Sequence, residues 1–391
     1  VKYINKPKVK RLKAAILSSY PPLRGMSKYS SALVRGLPKE VQVEALGFKQ
    51  MYPKLLYPTD TVDEKLQRLN QSNVKERSFM TWYNPFTWLY AGVTFKGEVL
   101  HVQWWHFVLT PIYSVIMLLA KLRKIPVVTT VHNVGAHERA LLQRLADKII
   151  FSLTGEFIVH TTTNKNMLAN SVKKEIHVVP HGILQPDTPI SDITQADARS
   201  TLGLDQGDEV VLFFGIIRDY KGLDVLIESF ADVVAARPNA KLIIAGKPWT
   251  GESWDTYQEL IDQNGINGSV IKKIGFVPES EIEPLFVAAD IIVFPYKHFD
   301  AQSGAASMAL YFEKAMVVTD VGGLPELVKS KRAVVPPDDS QLLARAIGDL
   351  LGSEQLRAEC EARSREVATQ LSWSTIGEQT AQLYMRLASD E

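Results

Sequence analysis

The second half of this chain repeats one local pattern. A short apolar run suited to a buried strand ends on a glycine with a charged or hydroxylated neighbour. Val210 to Phe214 leads to Gly215, Lys241 to Ala245 to Gly246-Lys247, Ile291 to Pro295 to Ser303-Gly304, and Ala315 to Thr319 to Asp320 and Gly322. Val270 to Ile274 closes on Gly275-Phe276-Val277-Pro278 in the same manner. Apolar runs bounded by glycine read as strands, and the amphipathic stretches between them read as helices. Such alternation predicts a doubly wound parallel sheet whose ligands bind at the carboxyl ends of its strands.

The densest of these turns is Phe213-Phe214-Gly215-Ile216-Ile217-Arg218-Asp219-Tyr220-Lys221-Gly222. Gly215 permits a sharp turn. Arg218 and Lys221 follow, three residues apart. Gly222 opens a helix whose apolar side is Leu223, Val225, Leu226, Ile227 and Phe230. Strand, glycine turn, two cations and a helix N-terminus together suit a polyphosphate. Taken alone, the two cations fit a solvated surface turn equally well.

The first half alternates similarly. Leu12 to Ser18 is the expected first strand, and Tyr20 to Ser27 the loop after it, its prolines delaying a helix until Ser27 can cap one. Val41 to Leu46, Val99 to Trp104, Pro126 to Val131, Phe157 to His160 and Ile176 to Val179 are further strands. Residues 50–80 read as an irregular insertion, and Trp82, Phe86, Trp88, Leu89 and Tyr90 as an aromatic-rich helix. His132-Asn133 sits at a carboxyl strand end, the ligand edge, where a structural histidine is the competing reading. Residues 183–207, rich in Pro, Asp, Thr and Ser, mark a linker.

With 391 residues the chain exceeds one ordinary core and suggests two domains. Its 44 basic and 43 acidic side chains nearly cancel, so no field for nucleic acid is implied. Lys2, Lys6, Lys8, Lys10, Arg11 and Lys13 crowd the start. They leave two readings open, a solvated tail or peripheral contact with the inner face of an anionic membrane. The basic start leads into a short strand, so no leader is expected. Phe107 to Leu122 is interrupted by Pro111 and falls short of the roughly 20 residues of a spanning helix, so it reads as a buried helix. The lone cysteine, Cys360, has no partner for an internal disulfide and fits a reducing, cytoplasmic compartment.

At these residues the chain resembles the retaining glycosyltransferases of the GT-B fold in the large family four, over nearly its whole length and most strongly from 209 to 328. The resemblance implies an α/β fold of two Rossmann-like doubly wound domains facing across a cleft. Residues 1–190 would form the acceptor-side domain, 191–207 a linker, 208–370 the nucleotide-sugar-binding domain, and 371–391 a helix crossing back to the first. It gives Arg218 and Lys221 the donor diphosphate. Gly215, Gly246, Lys247, Phe276 and Val277 line the nucleotide edge, and His132 lies beside the donor sugar. In the first loop, which resembles a paired-glycine turn of the family, only Gly25 is present. The family's two glutamates, seven residues apart, correspond to Asp300 and Met308. Backbone N–H groups at Ser303, Gly304 and Ala305 would replace part of the carboxylate chemistry.

The expected activity is retaining, metal-independent transfer of a hexose from a UDP- or GDP-linked sugar, with no permanently bound cofactor. The acceptor would be a glycan, lipid-linked or small-molecule hydroxyl, in cell-surface polysaccharide or glycoconjugate synthesis. No Asp-x-Asp pair offers itself to a divalent metal. Trp104, Trp105 and His106 are candidates for acceptor contact, with core packing as their alternative. The rival functions are a nucleotide-sugar epimerase of GT-B fold and a non-catalytic sugar-nucleotide-binding assembly subunit.

Overall fold

The computed structural model describes residues 12–23, 26–53, 68–134, 140–183, 191–298, 303–328 and 331–389. Gly25, Asp300 and the basic residues before Leu12 lie outside them. The chain divides into two compact units, Val1–Gly182 with Leu371–Glu391, and Ile183–Gln370.

The first unit carries strands β1 (Lys13–Leu17), β2 (Gln42–Gln50), β3 (Val74–Thr81), β4 (Val99–Trp104), β5 (Val127–Val131), β6 (Glu156–Val159) and β7 (Ile176–Val178). All pair in parallel, in the order β3-β2-β1-β4-β5-β6-β7. Its helices are α1 (Ser27–Gly36), α2 (Pro85–Thr94), α3 (Thr110–Leu122), α4 (Ala140–Leu153) and α5 (Thr162–Ala169). A parallel sheet needs both faces covered. Leu100, Val102, Trp104 and Phe157 share one core with Tyr113, Ile116 and Met117 of α3. Ile16, Val43 and Val128 share the other with Leu33 and Val34 of α1 and with Ile376 and Tyr384 near the C-terminus.

The second unit carries β8 (Glu209–Phe214), β9 (Ala240–Gly246), β10 (Val270–Ile274), β11 (Ile291–Phe294), β12 (Ala315–Thr319) and β13 (Val334–Val335). These too are all parallel, in the order β10-β9-β8-β11-β12-β13. Around them lie α6 (Gln195–Thr201), α7 (Leu223–Ala236), α8 (Trp254–Gln263), α9 (Glu279–Ala288), α10 (Gly304–Tyr311), α11 (Leu324–Val328), α12 (Ser340–Gly352) and α13 (Glu354–Gln370). Helix α7 buries Leu223, Leu226, Ile227, Phe230 and Val233, a 3.6-period stripe in which each large side chain contributes roughly 1.5–3 kcal/mol. The last helix, α14 (Trp373–Ser389), belongs to the first unit. There Tyr384 OH lies 2.5 Å from His101 Nδ1, and Arg386 binds Glu156 through both terminal nitrogens, one at 3.0 Å.

In each sheet the strand order reverses beside the first strand, between β1 and β4 and between β8 and β11. Loops leaving the carboxyl ends of such neighbours diverge and leave a crevice for a ligand. Both halves are thus Rossmann-like units, each a parallel sheet between helices.

Three local expectations change. Residues 74–81, read as part of an insertion, form edge strand β3, fixed by the 2.6 Å pair of Arg77 with Glu44. The stretch 191–207 is not all connection: α6 sits in it, and Arg199 pairs with Asp290 at 2.7 Å. Ser27 does not cap α1; Met26 holds that position, and the Ser27 hydroxyl donates to the Leu23 carbonyl. Among the described residues no helix is long and apolar enough to cross a membrane.

Candidate functional site

In the second unit, the turns after β8 and β9 are tied together. Ile217 N donates to Lys247 O at 2.9 Å, and Trp249 N donates to Ile217 O at 3.0 Å. A Cβ on Gly246 would stand 1.8 Å from the Gly215 carbonyl oxygen, so only glycine lets the turns touch. Gly222 has φ +66°, and a Cβ there would meet Pro295 O at 1.9 Å. This fixes the entry to α7 directly behind the two cations.

Those cations are held differently. The Arg218 guanidinium carbon lies 3.8 Å from the Trp249 ring centroid, and its Nε is buried with no hydrogen-bond partner. Lys221 is 9% exposed, and its Nζ stands 3.1 Å from where a Gly215 Cβ would be. Burial, and then the like charge of Arg218, lower the Lys221 ammonium to about 8. The nearby carboxylates are committed elsewhere. Asp219 and Asp224 both bind Lys297 Nζ, at 3.0 and 2.7 Å. Burial opposes the charge on Lys297, but the two carboxylates win and its ammonium is raised above the ordinary range. Among the described residues, neither Arg218 nor Lys221 forms an ion pair. Two adjacent desolvated cations without a counter-charge are costly unless an anion joins them.

The end of β11 supplies the opposite wall. Buried Tyr296 has its hydroxyl 2.9 Å from Ser303 Oγ, and Ser303 caps α10 by accepting from Ala306 N at 3.3 Å. The Ala305 methyl lies 3.5 Å from the same Gly215 Cβ position. Gly215, Lys221, Ser303, Gly304 and Ala305, distant in sequence, are therefore neighbours, with the free amides of a helix start among them. Met308 is half-buried one turn further on and offers no carboxylate. Phe276 is 84% exposed after β10, with Val277 half-buried beside it. Lys247 is exposed, and its fixed contribution is the carbonyl that Ile217 uses.

In the first unit, His132 leaves β5 and joins a buried polar chain. His160 Nδ1 lies 2.9 Å from the Val179 carbonyl, which only accepts, so the His160 proton is on Nδ1 and its Nε2 is bare. His132 Nδ1 lies 3.3 Å from that nitrogen, and its Nε2 lies 2.8 Å from Gln103 Oε1. Gln103 Nε2 lies 3.1 Å from His101 Nε2, and the His101 ring also meets Thr130 Oγ1 at 2.7 Å and Tyr384 OH at 2.5 Å. Every ring is neutral in this arrangement. Burial, reinforced by the neighbouring imidazoles, holds His101 and His160 at about 3 and His132 well below its ordinary value. Tyr29 closes the cluster edge-on, 4.7 Å from the His132 ring.

The acceptor candidates separate. Trp104 is 1% exposed, and its indole donates to Asp147 at 2.8 Å. It is a core residue, not a contact surface. Trp105 is half-buried and donates to Tyr52 OH at 3.1 Å. His106 accepts from Val108 N at 3.2 Å and stacks on Phe107. Sequence reasoning passed over Trp249, Tyr296 and Lys297. Trp249 and Lys297 lie within three residues of a strand-end turn already singled out, which is the signal that could have found them.

Residues 194–367 match the family model described as glycosyl transferases group 1. The chain is 27% identical over 222 residues to an uncharacterized glycosyltransferase of Methanocaldococcus jannaschii, covering 55% of each. It is 27% identical over 314 residues to the D-inositol 3-phosphate glycosyltransferase of Corynebacterium aurimucosum, 75% of this chain and 73% of that protein. The chain thus spans about half the length of the first relative and nearly three quarters of the second. Among solved structures, Anabaena HepE in complex with UDP superposes with a TM-score of 0.68 at 17% identity, over 96% of this chain and 100% of that one.

Proposed function

We infer that this chain, whose second unit matches the group 1 glycosyl transferase model over residues 194–367, is a retaining glycosyltransferase that moves a hexose from a UDP- or GDP-linked sugar to a glycan, lipid-linked or small-molecule hydroxyl. The observation that carries this reading is the pairing of Arg218 and Lys221 beside Gly215 and the start of α10, at the strand-order reversal, with no ion pair to a carboxylate among the described residues. The solved neighbour that binds UDP supports a nucleotide donor.

As the bond from the anomeric carbon to the phosphate oxygen breaks, negative charge grows on the diphosphate. Arg218, Lys221 and the α10 amides stabilise that charge without a metal ion. Each such preorganised donor is worth about a hundred- to a thousand-fold in rate. The acceptor oxygen bonds to the anomeric carbon on the face the diphosphate leaves, its proton passes to the departing phosphate oxygen, and configuration is retained. The family resemblance gives His132, neutral, the orienting of the donor sugar and not the role of a base. Asp300 and Gly25 keep the donor-side roles that the family resemblance implies. The enzyme works in the cytoplasm, in polysaccharide or glycoconjugate synthesis.

The test is a thermal-shift panel of nucleotides and nucleotide sugars, followed by transfer assays with the donor that binds. Arg218→Ala and Lys221→Ala should each cut transfer at least about a hundred-fold while leaving the fold intact. Wild-type turnover in both variants would defeat the assignment. Tight donor binding with no transfer to any acceptor pool would replace the enzyme by a binding subunit.

A further inference from the structure

We propose that the outer face of α2, α3 and α4 in the first unit docks on an anionic lipid bilayer. Eleven of the eighteen exposed large hydrophobic residues among those described lie on these helices or on Tyr83, just before α2. The helices are neighbours, α2 against α3 and α3 against α4. Each already fills the core with its other side: α3 with Tyr113, Ile116 and Met117, α4 with Ala146 and Ile150. The outward residues are surplus to folding. Phe86 is 78% exposed, Tyr90 58%, Leu122 72%, Leu141 72%, Leu145 50% and Ile149 46%. A run of this extent on a monomer marks an interaction site.

The charges decide the occupant. Exposed Lys121, Lys124, Arg144 and Lys148 are interleaved with or border these residues. The one carboxylate on the three helices, Asp147, turns inward, accepting from the Trp104 indole and from Gln143, each at 2.8 Å. An apolar face set among lysines and arginines and, among the described residues of the three helices, free of outward acid is the pattern of a helix surface that lies in an anionic headgroup layer. Protein interfaces are depleted of lysine instead, which argues against a second copy. None of these residues is one of the donor-side candidates or one of the basic residues before Leu12.

The full chain should co-sediment with vesicles of phosphatidylcholine mixed with phosphatidylglycerol and bind phosphatidylcholine alone at least about tenfold more weakly. A Leu145→Glu/Ile149→Glu double variant, both positions being exposed, should keep the wild-type Tm and lose binding about tenfold or more. Lys124→Glu/Lys148→Glu should weaken it and flatten its salt dependence. The assay uses neither donor nor acceptor, so its outcome is separate from that of the transfer assay. Absence of binding to the anionic vesicles overturns the proposal. So does binding that survives the Leu145/Ile149 change and disappears only when Lys6, Lys8 and Lys10 are replaced. A concentration-dependent dimer abolished by the double variant would hand the face to a second copy instead.

Discussion

The Arg218 guanidinium carbon lies over the Trp249 ring, 3.8 Å from its centroid. That contact restrains a long cation without neutralising it, which a carboxylate partner would do. A cation–π contact at a partly exposed site is worth about 0.5–1 kcal/mol. Trp249→Ala should therefore raise the donor KM about two- to fivefold and leave kcat nearly unchanged, read by steady-state kinetics with varied donor. A loss confined to kcat would place Trp249 in the chemical step rather than in holding Arg218.

Lys221 bears a cost in the ligand-free protein. Its folded value, about 8, lies below the 10.5 of the free side chain. The unfolded chain therefore binds more protons between those values, and stability rises with pH across that window. Lys221→Met should stabilise the ligand-free protein by about 1–3 kcal/mol below pH 8, remove this rise, and reduce the stabilisation produced by the nucleoside diphosphate that binds. Denaturant melts with and without that nucleotide check both halves. A destabilised variant with the wild-type response to the nucleotide is the contrary result.

The imidazole chain sets an acid limit. His101 and His160, at about 3 when folded, regain the ordinary 6.5 on unfolding. Between these values the unfolded chain binds more protons, so stability is full above 6.5 and falls as the pH drops. Each such histidine contributes a slope of up to about 1.4 kcal/mol per pH unit. His160→Asn should flatten the decline, measured by urea unfolding at a series of pH values. An unchanged slope would mean that the rings charge without unfolding.

Arg199 tests how the second unit begins. It is 5% exposed and donates to Asp290, Ala288 O and Gln206 O at 2.7, 3.2 and 2.8 Å. Removing it strands Asp290, which also accepts from Val210 N at 2.7 Å. Arg199→Ala should cost about 3–5 kcal/mol. A passive connection would tolerate the change.

Much of this is legible in the amino-acid sequence. Strands β4 and β12 fall where their β-branched and apolar runs placed them, because buried parallel strands are continuous apolar segments. The pairing of Lys221 with Gly215 was legible because both sit in one ten-residue turn. Edge strand β3 was not: Lys75, Glu76 and Arg77 give it a half-solvated, charged alternation that looks like a loop. Nor was helix α6 legible, since it has only seven residues and its anchor, Asp290, is ninety-one positions from Arg199. Trp104 showed the reverse failure. A tryptophan at a strand end reads as a ligand contact until Asp147, forty-three residues away, is seen to take its indole proton.

The most direct measurement is calorimetric titration of the nucleoside diphosphate that binds, UDP or GDP, and of its nucleoside into the wild type, Arg218→Ala and Lys221→Met. Loss of one charged hydrogen-bonding group should weaken the diphosphate by about 1.5–3 kcal/mol, roughly ten- to a hundred-fold in Kd, and leave the nucleoside unaffected. Equal affinity of that diphosphate in all three proteins, or equal losses for diphosphate and nucleoside, would contradict a diphosphate held by these two cations.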